Sequence, residues 1–212
     1  MDSRTIRRRR PGGLFVQVLD NAPCVLMAKA AGFDFFDGEH GDIDLNGLST
    51  LMLLGKSVDM PSLVRVPQLA RADLSRPLDL GTTGIMVPMV EAVAQARQTI
   101  EWAKYPPLGR RSYSGGAHTG YGSSGNHAAV MKKANASVPA IAQIETVEGV
   151  RNVDEIFSVD GVDAASSVLA TWQSRWAGRT RSAATRRCCW STPSARRVRG
   201  TERASGSSAA AL

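Results

Sequence analysis

The sequence predicts an α/β protein built on a parallel β-sheet, and two observations support that class. Short apolar segments of strand character alternate with segments whose apolar residues recur at helical spacing. Charged residues follow the strand-like segments, at Glu39, His40, Arg65 and Glu145. In a (β/α)8 barrel such positions all open onto the face at the carboxyl ends of the strands, where these barrels carry out chemistry. A barrel is therefore the architecture that we expect.

The strands are predicted from short apolar segments bounded by Gly, Pro or charged residues. They cover residues 14–19, 33–37, 62–66, 84–88 and 140–144, and a further strand begins at 162–165. No Gly-rich phosphate loop follows the first strand, so the sequence does not favour a dinucleotide-binding fold.

The helices are predicted between these strands, over residues 23–31, 45–56, 70–80, 90–104, 127–136 and 149–157. The first opens with Pro23 and stops at Gly32, the residue types that commonly begin and end helices. In the second, Leu45, Leu48 and Met52 recur at helical spacing. Residues 105–126 are rich in Gly and Ser and are predicted as a loop, with a short strand near 111–114.

Charge is distributed unevenly along the 212 residues, and the net charge of +7 comes from the two ends. Residues 1–10 carry five Arg and one Asp, and residues 166–212 carry nine Arg, one Glu and three of the four Trp. The segment between them is acidic. We therefore expect a basic arm at 1–12, a partial barrel at 13–165 and a disordered basic tail at 166–212.

Composition excludes several classes of protein. With 43% hydrophobic and 21% charged residues the chain is globular in type. No apolar run approaches the ~18 residues needed to span a bilayer, and residues 1–10 lack the apolar segment of a secretory signal, so we expect a cytoplasmic protein. Three cysteines, Cys24, Cys188 and Cys189, are too few for a disulfide framework, and an adjacent pair is not a zinc-ligand spacing.

Six short motifs occur in order within residues 13–165. They are Asp-Gly-Glu-His at 37–40, Leu-Val-Arg-Val-Pro at 63–67, Leu-Asp-Leu-Gly with Gly-Ile-Met-Val-Pro-Met-Val within 78–90, Lys-Tyr-Pro-Pro-Leu-Gly-Arg-Arg at 104–111, Gln-Ile-Glu-Thr at 143–146 and Gly-Val-Asp at 161–163. Through them the chain resembles the metal-dependent (class II) pyruvate aldolases of the 4-hydroxy-2-oxoheptanedioate aldolase and citrate lyase β-subunit group. The resemblance implies a TIM barrel of the phosphoenolpyruvate/pyruvate type, incomplete here, with about six to seven strands.

The resemblance also implies a role for each of five residues. Glu145 resembles the family's carboxylate ligand for a divalent ion, Mg²⁺ or Mn²⁺, which prefers oxygen ligands. That ion would stabilise the enolate of pyruvate, and Arg65 would add a fixed positive charge. His40 would transfer protons and Asp79 would orient His40. Gln143 would hydrogen-bond the pyruvate or a metal-bound water.

Each of these residues also has a structural interpretation. His40 could be a surface or capping residue, Arg65 part of an ion pair at the rim, Asp79 the end of a helix and Glu145 the N-cap of the helix that follows it. A Schiff-base aldolase would instead need a lysine inside the barrel. The five lysines, at 29, 56, 104, 132 and 133, all fall on predicted helices or at their ends, so we disfavour that class.

The chain departs from the family pattern after residue 165. Family members continue with a strand that ends in Gly-Pro-x-Asp-Leu, whose Asp is the second carboxylate ligand, and Thr171 stands at that position here. Read one base upstream, the codons from residue 168 permit Gly-Pro-Gly-Asp-Leu-Ala. We therefore interpret the tail as the product of a frameshift and expect weak metal binding and impaired activity.

The resemblance implies a carbon–carbon lyase that reversibly cleaves a 4-hydroxy-2-oxo acid to pyruvate and an aldehyde. Intact family members are homo-oligomers, and this chain would lose the contact made by their C-terminal helices. Two other functions stay open: a catalytically dead remnant that pairs with intact paralogues, and nonspecific nucleic-acid binding by the Arg/Trp tail. We favour small-molecule substrates over nucleic acid and expect no membrane partner.

Overall fold

The computed structural model describes residues 13–16, 21, 23–33, 35–38, 43–122 and 125–166. Within them, six strands form a single sheet in which every neighbouring pair is parallel and the spatial order follows the chain. The strands are β1 Gly13–Phe15, β2 Phe35–Gly38, β3 Ser62–Arg65, β4 Gly84–Val87, β5 Ala140–Gln143 and β6 Val162–Ser166. Sequential parallel pairing of this kind is how a (β/α)8 barrel wall is built.

Helices connect the strands, because parallel neighbours need a crossover rather than a tight turn. They are α1 Pro23–Ala30, α2 Leu45–Ser57, α3 Arg71–Asp79, α4 Val93–Ala103, α5 His127–Ser137, α6 Val147–Arg151 and α7 Val153–Ser158, with a short 3-10 turn at Ala117–Thr119. Side chains cap the N-terminal ends of several helices. Asp44 accepts a hydrogen bond from the Gly47 N–H at 2.8 Å and caps α2, and Asn126 caps α5 in the same way.

The two faces of the sheet bury different residues. The outward-facing strand residues pack under the helices, and that core includes Ile85, Val87 and Ala142 from the strands and Leu74, Ile100 and Ile156 from the helices. The opposite face carries a small cluster drawn from four consecutive strands, formed by Leu63, Met86, Ile141 and Ala164. This second cluster is the interior of the barrel wall, and it defines which side chains point inward.

Two sequence predictions are corrected by the structure. Residues 111–114 form no strand, because the chain folds back on the end of α4, where the Arg111 N–H donates to the Lys104 carbonyl at 3.0 Å. The single helix predicted over 149–157 is two helices, α6 and α7, separated at Asn152. The Asn152 side chain donates to the Glu91 carbonyl at 2.8 Å, which anchors the break to a neighbouring turn.

Helix α4 begins at Val93, three residues later than the sequence predicted. The residues before it form a turn at the carboxyl end of β4, and this turn contacts the candidate site. The predicted arm at 1–12 and, apart from Ser166, the predicted tail at 166–212 lie outside the described residues.

Candidate active site

Two of the predicted site residues end neighbouring parts of the barrel wall. Arg65 is the last residue of β3 and Gln143 the last of β5. Side chains alternate between the two faces of a strand, and each of these residues lies two positions beyond a member of the interior cluster, Leu63 and Ile141. Both therefore face the barrel interior at its carboxyl edge. Arg65 is 7% exposed and Gln143 is 1% exposed.

Gln143 presents a polar atom that the described residues do not satisfy. Its Oε1 is buried and accepts no hydrogen bond from any residue in the described part of the chain. A buried amide oxygen without a donor is costly, so such an atom is typically matched by water, an ion or a ligand. Gln143 thus points an oxygen donor into the interior, as a site for a small polar ligand requires.

Glu145 continues the same alternation past the end of β5. Ile144 faces outward and is fully buried among the helices, which returns Glu145 to the interior side. Glu145 Oε1 accepts a hydrogen bond from the Met89 N–H at 3.2 Å. The alternative that Glu145 caps the following helix is wrong, because Thr146 Oγ1 is the acceptor for the Gly149 N–H and is the N-cap of α6.

Ser166 joins this edge, although the sequence analysis did not single it out. It is the register partner of Gln143 and lies two residues beyond Ala164 of the interior cluster. The pattern Ala-Ala-Ser at the end of a predicted strand could have indicated it. The change of composition at this residue instead assigned it to the predicted tail.

Asp79 does not lie at the carboxyl edge of the sheet. It is the last residue of α3, which connects the carboxyl end of β3 to the amino end of β4. Its carboxylate pairs with the buried guanidinium of Arg111 at 2.7 Å, and its carbonyl lies 3.2 Å from His118 Nδ1. These contacts place Asp79 at the amino edge of the sheet, opposite Arg65 and Glu145. His40 lies outside the described residues, so its orientation by Asp79 stays a prediction, and the site proposed below is built without Asp79.

The amino edge is an aromatic and ionic cluster. Arg111 stacks over the Tyr105 ring with 4.7 Å from the guanidinium carbon to the ring centroid, and the Tyr105 hydroxyl lies 3.4 Å from His118 Nε2. Burial raises the pKa of the Tyr105 hydroxyl, the Arg111 charge lowers it, and Asp79 and Tyr113 raise it further. This cluster explains Asp79 and Arg111 as stabilising residues.

His40 and Glu39 lie outside the described residues, as does Thr171. The expected proton-transfer residue and the expected position of a second carboxylate are therefore not located by the structure. The described edge contains Arg65, Gln143, Glu145 and Ser166.

The lysines do not occupy this edge. All five lie on helices or immediately after one. The most buried, Lys104, uses its Nζ to donate to the carbonyls of Asn135 and Val138 and to Asp163 Oδ2 at 2.9 Å, at the amino ends of β5 and β6. This placement agrees with the prediction against a Schiff-base mechanism.

The donor atoms at the carboxyl edge suit a hard cation. Within the described ranges no group of three or more His, Cys, Asp or Glu residues is close enough to hold a metal ion. The edge does offer the carboxylate of Glu145, the orphaned amide oxygen of Gln143 and the hydroxyl of Ser166, which are all oxygen donors. Mg²⁺ prefers oxygen ligands and is commonly bound through one or two carboxylates together with substrate and water oxygens.

Comparison with known proteins decides the family. The model of the HpcH/HpaI aldolase/citrate lyase family matches residues 12–168, which include every described strand. The chain belongs to the HpcH/HpaI aldolase/citrate lyase family. The fold of this family is the (β/α)8 barrel that the sequence predicted.

Relatives within the family carry aldolase names. The chain is 38% identical over 155 residues to the hydroxypyruvate/pyruvate aldolase of Roseobacter denitrificans, covering 71% of this chain and 59% of that protein. It is 38% identical over 136 residues to the 4-hydroxy-2-oxovalerate aldolase of Novosphingobium aromaticivorans, covering 63% and 51%. This HpcH/HpaI chain therefore matches between half and three fifths of the length of these relatives.

A solved structure supports the same placement. The crystal structure of an HpcH/HpaI aldolase from Desulfitobacterium hafniense superposes with a TM-score of 0.78 at 30% identity, covering 89% of this chain and 74% of that one. Among the residues that the structure describes, no helix combines the length and the apolar character of a membrane span.

Proposed function

We propose that this chain is a carbon–carbon lyase that reversibly cleaves a 4-hydroxy-2-oxo acid to pyruvate and an aldehyde. One observation carries the proposal. The motif residues Arg65, Gln143 and Glu145 face the barrel interior together at the carboxyl edge, where barrel enzymes do their chemistry. The aldolase names of the relatives support the same reaction class.

A divalent cation, Mg²⁺ or Mn²⁺, is the cofactor that we propose. Glu145 and Gln143 are the residues that would hold it, because they supply a carboxylate and an unsatisfied amide oxygen on the same side of β5. When bound, such an ion supplies Lewis-acid stabilisation of the charge that develops on the keto oxygen.

Arg65 stabilises the same charge from the protein. In the cleavage direction the C3–C4 bond breaks and its electron pair moves into the oxo acid, so negative charge accumulates on the C2 oxygen. A buried guanidinium at 7% exposure is fixed and shielded from water, which strengthens its attraction to that oxygen. Gln143, whose amide oxygen is proposed for the ion, donates a hydrogen bond from its amide nitrogen to the pyruvate part and so holds it beside Arg65.

His40 is the residue that we propose for proton transfer. It accepts the proton of the C4 hydroxyl as the aldehyde forms, and a proton then returns to C3 to give the methyl group of pyruvate. In the synthetic direction the same steps run in reverse. The assignment of His40 rests on its motif at 37–40, which begins in the last two residues of β2.

The proposal is tested by following pyruvate release from a 4-hydroxy-2-oxo acid, with Mg²⁺ or Mn²⁺ added and with a chelator. We expect cation-dependent release that falls by about 10²–10³ in Arg65→Ala, the loss typical of a removed oxyanion donor. Arg110→Ala is the matched control, since Arg110 is exposed and pairs only with Glu101 in the described residues. Release that persists in the chelator, or an Arg65→Ala variant as active as Arg110→Ala, would contradict the proposal.

A further inference from the structure

The turn between β4 and α4 has a backbone conformation that its sequence does not favour. Met89 adopts φ of +54°, in the left-handed region that residues with a side chain rarely occupy, and its side chain is 43% exposed. Because this side chain is exposed, its packing contributes little energy to offset the cost of the left-handed conformation. A conformation of this kind persists only where the surrounding structure imposes it, and such positions are concentrated at functional sites.

Three contacts from residues 143–152 hold the part of the turn that directly follows Met89. The Val90 N–H donates to the Gln143 carbonyl at 3.1 Å, and Asn152 Nδ2 donates to the Glu91 carbonyl at 2.8 Å. Gly149 lies so close to the turn that an added Cβ would stand 2.7 Å from the Val90 carbonyl oxygen. The turn is thus held at Val90 and Glu91, on the side that leads into α4, and it lies against a residue that has no side chain.

This packing sets the direction of one backbone N–H group, that of Met89. With φ positive at Met89, its backbone N–H points at Glu145 Oε1. Within the described residues this is the one hydrogen bond that the Glu145 carboxylate makes. It orients the carboxylate, and the second oxygen, Oε2, accepts no hydrogen bond from the described residues.

We propose that Gly149 and Asn152 are positioning residues, which force the β4–α4 turn to direct the Met89 N–H at Glu145 and so set the carboxylate for cation binding. This inference rests on the proposed function, in which Glu145 holds the ion. Groups that orient a metal ligand are worth roughly 10–100-fold in metal affinity. Neither residue is among those that we propose to hold the ion or the substrate.

The test is Mn²⁺ affinity, measured from the electron paramagnetic resonance of free Mn²⁺, in the full chain and its variants. We expect Gly149→Ala and Asn152→Ala to weaken affinity by about tenfold or more. Gly84→Ala is the matched control for strain: its Cβ would meet Leu63 Cδ1 at 3.0 Å, at the amino edge, and should leave affinity unchanged.

A second measurement needs no metal. In an amide NMR spectrum, the Met89 proton should exchange slowly in the parent and Gly84→Ala, and quickly in Gly149→Ala, Asn152→Ala and Glu145→Ala.

Failures of the two proposals are distinguishable. A parent chain that binds no Mn²⁺, or a Glu145→Gln variant that binds as the parent does, overturns the cation role of Glu145 and this inference with it. If Glu145→Gln loses Mn²⁺ while Gly149→Ala and Asn152→Ala retain both the ion and a slowly exchanging Met89 proton, the positioning role is overturned and the proposed function stands.

Discussion

At the scale of single residues, Tyr105 shows how burial couples stability to pH. Its ring is fully buried under the Arg111 guanidinium. Burial raises its pKa above the ordinary value of 10.0, and the neighbouring Asp79 and Tyr113 add to the rise, against the opposing effect of Arg111. The folded protein thus resists ionisation of a hydroxyl that the unfolded chain ionises freely.

The sign of the pH effect follows from that difference. The contribution of Tyr105 to stability is complete below pH 10, and it is lost as the pH rises from 10 through the higher folded pKa. Each pH unit in this interval costs up to about 1.4 kcal/mol. We expect melting temperature to fall more steeply above pH 10 in the parent than in Tyr105→Phe. Tyr121→Phe, which changes a side chain that is 70% exposed, is the control. Parallel curves for parent and Tyr105→Phe would contradict the prediction.

Residue types alone could place Arg65, Gln143 and Glu145 but not Asp79. Arg65 and Gln143 end strands and Glu145 lies two residues beyond one, so the alternation of side chains along a strand predicts the side on which they lie. Asp79 follows a helix, and its partner Arg111 is 32 residues away in the chain, so no local pattern predicts that ion pair. The same limit applies to Met89, whose conformation is imposed by Gly149 and Asn152, which are distant in sequence.

At the scale of elements, a buried ion pair joins three parts of the fold. Lys104 follows α4 and is 3% exposed, and its Nζ donates to Asp163 Oδ2 in β6. The same Asp163 oxygen accepts from the Ala140 N–H at the start of β5. One carboxylate therefore aligns the amino ends of two neighbouring strands with the end of a helix.

Substitution of Asp163 and substitution of Lys104 should lower the free energy of unfolding by different amounts. Asp163→Ala strands an ammonium group in a buried position and should cost about 3–5 kcal/mol of unfolding free energy. Lys104→Met should cost less, because the Asp163 side chain is 28% exposed and keeps the Ala140 N–H. Urea unfolding measures both. An Asp163→Ala variant that is as stable as Lys104→Met would show that the buried charge is relieved in another way.

Element types were easier to predict than element ends. Short apolar runs and helical spacing identified the strand and α-helix regions that the structure describes, although α5 buries none of its residues. The start of α4 was misplaced because residues 90–92 belong to the turn that packs on β5, and the division of α6 from α7 depends on the tertiary hydrogen bond from Asn152 to Glu91. Tertiary contacts decide both features, and no local pattern encodes them.

At the scale of the whole molecule, composition and family similarity change at the same place. The family match ends at residue 168, and beyond it the chain has an Arg- and Trp-rich composition with no Lys. We keep the frameshift as a hypothesis for this region. Resequencing the gene around codon 165 should reveal a base change that restores Gly-Pro-Gly-Asp-Leu-Ala from position 168. An uninterrupted frame, confirmed repeatedly, would remove the hypothesis.

The exchange of pyruvate methyl protons for deuterium, followed by NMR, tests the central claim most directly, because it isolates enolate formation at the Arg65 and Glu145 edge. It should be measured with Mg²⁺ or Mn²⁺ and with a chelator, in this chain, its Glu145→Gln variant and a frame-corrected chain. We predict cation-dependent exchange that is slow in this chain, faster in the frame-corrected chain and lower by about tenfold or more in the Glu145→Gln variant of either. An exchange rate that changes neither when the chelator is added nor when Glu145 is replaced would contradict the account.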